Sequence, residues 1–387
     1  MNKKLVAVAV AGLLAAPLAA QAQTANVTLY GRLNLTMEAV NGQHVDPNLP
    51  ATAAPVNRTI YRVNSNSSRL GVRGTEALGG GLSAIFQIES SIQADSSGGV
   101  LAGRETFVGL QGTWGTFKMG YFLSPYDDIH PIFGDVPTLT TSILSTASIW
   151  AQGSQGNNDG GFDNRNPNSI RYDSPSIKGF TGSFQLSTMD NSPATSSGSS
   201  SVGTGGTDAQ ASRHAYIGSA AAFYANGPFQ AGTAYNWNQK LRGPGLNDWA
   251  WSIAANWNFG VVKIGGVYER LDYDTPTGSL TRNFYGVSGT VPIGPGELYA
   301  FWGQALDGSG SAANGTTVGQ VTKGDSTGAQ FWEISYTYAL SKRTLAYTGF
   351  VQTRNDNNAH YNFNINPYTV VNGANANGFV IGLVHFF

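Results

Sequence analysis

The sequence predicts an all-β fold: a 16-stranded antiparallel transmembrane β-barrel. Three observations carry that prediction. Short runs alternate apolar and polar residues with the period of two that sends strand side chains to opposite faces. Short turns and longer polar connections follow one another along the chain. Aromatic residues stand at both ends of several runs, as they do where a sheet crosses the two interfaces of a membrane.

Composition bounds the class. Only 12% of the 387 residues are charged, half the usual share of a soluble domain, and 50 are glycine. No cysteine is present, which excludes disulfides, thiolate metal sites and thiol catalysis. Lys3 and Lys4 precede an apolar run from Leu5 to Ala20 and the small-x-small site Ala20-Gln21-Ala22. That pattern predicts a cleavable secretory signal over residues 1–22, too short and too Ala-rich for a membrane anchor. Its loss takes the formal charge from −1 to −3, which argues against a nucleic-acid partner. The mature barrel domain is then 23–387.

The elements follow in order. Asn26–Val40 alternates Val27, Leu29, Leu33, Leu35 and Met37 with Thr28, Tyr30, Arg32, Asn34, Thr36 and Glu38. Arg69–Ser90 reads as a β-hairpin through the turn Glu76–Gly81, with Arg69, Arg73 and Glu89 on the face opposite the apolar stripe. Arg104–Gln111 and Thr116–Phe122 form the next pair. From Ser124 to about Asn166 no period is sustained, and so long a connection is usually functional. Alternation returns at Asn168–Asp173 and Phe180–Met189, followed by a Ser/Gly/Thr-rich loop at Asn191–Gln210. Later strand pairs are separated by short turns and by polar connections at Lys240–Asn247, Asp272–Ser279, Asp307–Thr327 and Asp356–Asn377. Asp248–Phe259 and Phe331–Leu340 show the alternation most clearly, and Trp249, Trp257, Phe259 and Tyr338 read as interfacial anchors.

The charges decide which face meets lipid. A Lys or Arg facing mid-bilayer costs about 2–4 kcal/mol. Arg32, Glu38, Arg69, Arg73 and Glu89 all avoid the apolar stripe, so the charged face is the interior. A barrel of this size holds water.

The chain resembles the general-diffusion porins of Gram-negative outer membranes, particularly the β-proteobacterial type. The likeness runs through Val27-Thr28-Leu29-Tyr30-Gly31, Ser68–Glu76, Gly103-Arg104, Phe107–Leu110, Asn168–Pro175, Ala339–Arg343 and the terminal Phe387. The resemblance implies short periplasmic turns, long extracellular loops and an inward-folded third loop, residues 124–166, that constricts the pore. It implies a basic side of Arg69, Arg104 and Arg171, with Arg73 and Arg32 as lesser members, facing an acidic side of Asp127, Asp128 and Asp135. Glu89 and Tyr121 are further lumen candidates; relatives commonly carry Arg at the position of Tyr121. It also implies a homotrimer in outer-membrane lipid and lipopolysaccharide, with Phe387 read by the barrel-assembly machinery, and passive passage of ions and small hydrophilic solutes without a cofactor.

Other readings stay open at this point. A substrate-selective channel carries the same pattern. A surface adhesin draws support from the loops Asn191–Gln210 and Asp307–Thr327. A barrel phospholipase needs an outward Ser/His pair; His385 is the candidate histidine, and the sequence places no hydroxyl beside it. No nucleophile elbow, phosphate loop or dinucleotide fingerprint is present, and His44, His130, His214, His360 and His385 show no metal-ligand spacing.

Overall fold

The computed structural model describes residues 26–44, 55–134, 142–152, 159–189 and 214–387. The signal segment 1–22, the loop Asn191–Gln210 and Asp135 lie outside the described residues.

Strand β1 (Asn26–His44) opens the sheet and β2 returns along it in two pieces, Val56–Ser65 and Arg69–Gly79, broken at Asn66–Ser68. Then follow β3 (Leu82–Ser91), β4 (Thr106–Gly112), β5 (Gly115–Leu123), β6 (Arg165–Asp173), β7 (Phe180–Thr188) and β8 (Tyr216–Asn226). The second half contains β9 (Phe229–Gln239), β10 (Asn247–Asn258), β11 (Lys263–Thr275), β12 (Gly278–Ile293), β13 (Gly296–Ala305), β14 (Ala329–Ala339), β15 (Thr344–Asn355) and β16 (Ala376–Phe386). Each pairs antiparallel with the next, and β16 closes on β1 from Arg32↔Phe386 to Asn41↔Asn377. The sheet is therefore a closed barrel of sixteen strands, as the alternation predicts.

Closure extends to the final residue. The Phe387 amide donates to the Gly31 carbonyl at 3.1 Å, and the Gly31 amide donates to Phe387 at 3.0 Å. The Phe387 ring lies on Gly31, where a Cβ would meet it at 2.4 Å, so only glycine admits the closing aromatic.

The two faces separate as the sequence indicates. Leu29, Met37, Ile88, Val108, Ile253, Ile264, Val287, Ile334 and Ile381 point outward and are exposed, whereas Arg32, Asn34, Thr36, Glu38 and Glu89 point inward. Trp257 and Phe259 lie side by side near one rim, their rings tilted and 6.2 Å apart. On β11 the outward face carries charge near the other rim, where Arg270 lies 5.9 Å from the Trp249 ring and 3.7 Å from Asp272.

Three elements differ from the sequence reading. Asp272–Ser279 is not a long connection: β11 and β12 run on to Thr275 and Gly278 and leave a two-residue turn, Pro276-Thr277. Polar residues there read as a loop because this hairpin rises clear of the apolar belt. Strand β6 starts at Arg165, earlier than Asn168. The Asp307–Thr327 connection contains a small hairpin of its own, Thr317–Val318 with Val321–Thr322.

The patternless connection is densely packed. Tyr126, Ile129, Ile143, Leu144, Ile149 and Trp150 are wholly inaccessible, in one cluster with the inward side chains Ala250, Leu271, Phe284, Phe331, Val351 and Val380. Burying each large apolar side chain contributes about 1.5–3 kcal/mol. Gly378 makes one such approach possible, since a Cβ there would meet Ile143 at 2.4 Å.

Ile253 sits mid-strand on the outward face of β10. Ile253→Arg is expected to lower stability by about 2–4 kcal/mol in urea titrations of the protein refolded into lipid vesicles, the cost of a guanidinium at mid-bilayer.

Candidate functional site in the barrel lumen

The inward faces of β1, β2 and β3 bring the basic residues together. Arg32 and Arg69 are directly opposed across β1 and β2. Like charges so placed repel, and Glu89 on β3 offsets them. Its carboxylate accepts from Arg104 Nε at 2.6 Å and from the Tyr30 hydroxyl at 3.0 Å, and Arg69 Nε stands 3.6 Å away. The Arg104 backbone amide also donates to the Glu89 carbonyl at 3.0 Å, which fixes the residue that precedes β4. Arg165, at the start of β6, lies within electrostatic reach of Arg104, as do Arg69 and Arg32. Tyr121 stands among them, beside Arg165 and Arg104.

Glu89 thus offsets Arg32, Arg69 and Arg104 on this wall, while Arg165 stands between Arg104 and the carboxyls of Asp127 and Asp163. Arg32 Nε and Arg165 Nε are enclosed and have no hydrogen-bond partner among the described residues. Arg73 belongs to a lower level of the same face, its guanidinium 4.9 Å from the Tyr30 ring.

Arg171 is held elsewhere. It pairs with Asp128, donates to Asp173 Oδ1 at 2.8 Å and reaches the Leu123 carbonyl at 3.1 Å. Asp128 is therefore tied directly to an arginine of β6 at the root of the long connection, not set across the lumen from the basic cluster. Burial raises its carboxyl to about 6 despite the pull of Arg171. Asp127 faces Asp163 and lies near Arg165 and Glu105; burial and the second carboxylate both push it well above its ordinary range.

Residues 126–133 and 149–151 of the connection are fastened to the opposite wall. Tyr126 donates to Glu269 Oε1 at 2.7 Å, and the Ala151 amide donates to the same oxygen at 2.9 Å. Trp150 Nε1 donates to Ser252 at 2.9 Å, Asn256 to the Ile132 carbonyl at 2.7 Å, and Tyr299 to the Phe133 carbonyl at 2.8 Å. Arg282 completes the hub: it pairs with Glu269 and donates to the Ile149 carbonyl at 2.5 Å. Glu269 and Arg282 are wholly inaccessible, and a buried ion pair holds only when further hydrogen bonds satisfy it.

Arg165, Glu269 and Arg282 are absent from the sequence-derived set. Arg165 was hidden by the late placement of the strand start. Arg282 pairs across β11 and β12 with Leu271, which makes Glu269 its diagonal neighbour. Reading Pro276-Thr277 as a two-residue turn would have revealed that pair. The outward His385 does have a hydroxyl partner, contrary to the sequence reading: Thr344 Oγ1 lies 3.0 Å from its Nδ1.

A closed transmembrane barrel with a charged, hydrogen-bonding interior is a channel. The family profile of the Gram-negative porins matches residues 7–358, and the chain belongs to that family. Outer membrane porin protein 32 of Delftia acidovorans is 29% identical over 364 residues, covering 92% of this chain and 90% of that protein. Among solved structures, the anion-selective porin from Comamonas acidovorans superposes with a TM-score of 0.70 at 24% identity, covering 94% of this chain and 100% of that one. The trimer form of OmpT from Vibrio cholerae gives 0.64 at 13% identity, covering 94% and 99%. The protein is an outer-membrane porin, a water-filled channel for diffusion of small hydrophilic solutes.

Glu269→Gln is expected to cost about 3–5 kcal/mol, because it leaves Arg282 buried without its counter-charge. Limited proteolysis should then cleave within residues 124–152 while the barrel strands stay protected.

Proposed function

We propose that the channel prefers anions and that the arginine wall sets this preference. The observation that carries the reading is the imbalance at Arg32, Arg69 and Arg104, where Glu89 supplies the carboxylate shared by Arg69 and Arg104. Arginine stays charged across the accessible pH range. Charged rings and hydrogen-bonding linings set selectivity in pores generally.

In this reading residues 124–166 are the inward-folded third loop, and the pore runs between that loop and the arginine wall. Arg69, Arg104, Arg32 and Arg165, with Glu89 and Tyr121, line the narrow level. Arg73 guards a lower one, and Arg171 with Asp128 anchors the loop. Asp135 is proposed as an acidic residue of the loop. Transport is passive, with no bond made or broken. Export with removal of residues 1–22, assembly through the terminal Phe387, a homotrimer and contact with lipopolysaccharide complete the proposal.

The test is the zero-current potential of planar bilayers in asymmetric salt. At about 4 Å in water a unit charge contributes about 1 kcal/mol, so each arginine removed should cut anion occupancy about fivefold. Arg69→Ala with Arg104→Ala is expected to move the potential strongly toward the cation value, and an unchanged potential would overturn the assignment.

A further inference from the structure

We propose that Asp127, His130 and Asp163 form a divalent transition-metal site that staples together the two ends of the long connection between β5 and β6. Loop closure creates the arrangement. The Ser124 amide donates to the Asn164 carbonyl at 3.2 Å and the Phe162 amide to the Ala151 carbonyl at 3.1 Å, so the returning chain lies against its own beginning. Asp127–Ile132 is a 3₁₀ turn. In that helix residues three apart eclipse, which puts Asp127 and His130 on one side. Asp163 arrives from the returning segment. One carboxylate oxygen of each aspartate and one ring nitrogen of His130 all lie within 4.8 Å of one another. Small side-chain movements bring three such atoms to the roughly 2.0–2.2 Å of zinc-type ligation.

Two further observations point to a ligand there. His130 is wholly inaccessible; its Nε2 meets Thr146 Oγ1 at 2.5 Å, and its Nδ1 has no hydrogen-bond partner among the described residues. A neutral ring with one nitrogen fixed by a hydrogen bond and the other carrying a free lone pair is the form in which histidine binds metals. Asp127 Oδ1 is likewise enclosed and without a partner.

Charge points the same way. Asp127 faces Asp163 and Glu105, with Arg165 as the neighbouring cation, and Asp163 also feels Glu269. Glu269 is already paired with Arg282, and Asp128 with Arg171. Two carboxyls facing each other repel once both are ionised, and a dication bound between them relieves that repulsion. One imidazole and two carboxylates suit zinc, cobalt or manganese better than calcium, which takes oxygen ligands. Such an ion would hold the loop ends together independently of the hub at Glu269 and Arg282.

The experiment uses the untagged, folded protein in detergent, stripped with chelator and titrated with Co2+ and Zn2+ at neutral pH. One ion per barrel is expected, with a Co2+ visible spectrum that disappears in His130→Gln and Asp163→Asn. Thr146→Val should weaken binding about 10–100-fold, since it removes the hydrogen bond that orients the ring. His360→Gln, on a surface loop, should leave the site intact. Wild-type single-channel conductance in the variants shows that they fold. X-ray absorption of the zinc-loaded wild type, which needs no variant, should show one imidazole among oxygen ligands. Absence of binding at millimolar metal, an all-oxygen ligand set, or equal binding by His130→Gln and Asp163→Asn would each overturn the proposal.

Discussion

Hydrocarbon offers no hydrogen-bond partner to a peptide group, and that single constraint organises the molecule. Each unpaired backbone amide or carbonyl in lipid costs several kcal/mol, so the sheet has to close. The closing seam runs from Arg32↔Phe386 to Asn41↔Asn377 and is extended by the Gly31–Phe387 pair. Once the sheet is closed, the period of two assigns every strand residue to lipid or lumen. Arg32, Arg69 and Glu89 point inward for that reason alone: their neighbours Leu33, Leu70 and Ile88 occupy the outside.

The lumen is divided unequally. The β1–β3 wall is basic, whereas the inward faces of β9–β16 are covered by residues 124–134 and 142–152. Covering a wall inside a wet barrel requires an apolar contact surface, which explains why Phe284, Phe301 and Phe331 point inward while Trp302 and Trp332 point outward. It also requires anchors for the loop's polar backbone. Glu269, Arg282, Ser252, Asn256 and Tyr299 supply them, so the charges of this half hold the loop in place.

Strand alternation made the barrel, its strand number and the inward arginines of β1–β3 legible in the sequence, because burial on one face leaves a period-two trace. The loop's course was not legible. Tyr126, Trp150 and Phe162 follow no period, since they pack by tertiary contact with strands more than 90 residues away. The site was legible where it lies within strands and obscure at their ends. Arg69 and Glu89 follow from alternation. Arg165 was lost at a strand start, and the Glu269–Arg282 pair at a turn whose polar residues resembled a loop. Aromatics on both faces of β12–β14 were the available signal that this wall is covered from within.

A basic wall that faces a loop-covered wall across an open pore is the arrangement on which the channel depends. Single-channel recording of the wild-type protein in a planar bilayer with asymmetric potassium chloride tests it most directly. Open channels with an anion-selective zero-current potential, closing in three equal steps, are the predicted result. A cation-selective potential, or no conductance from folded barrels, would contradict it.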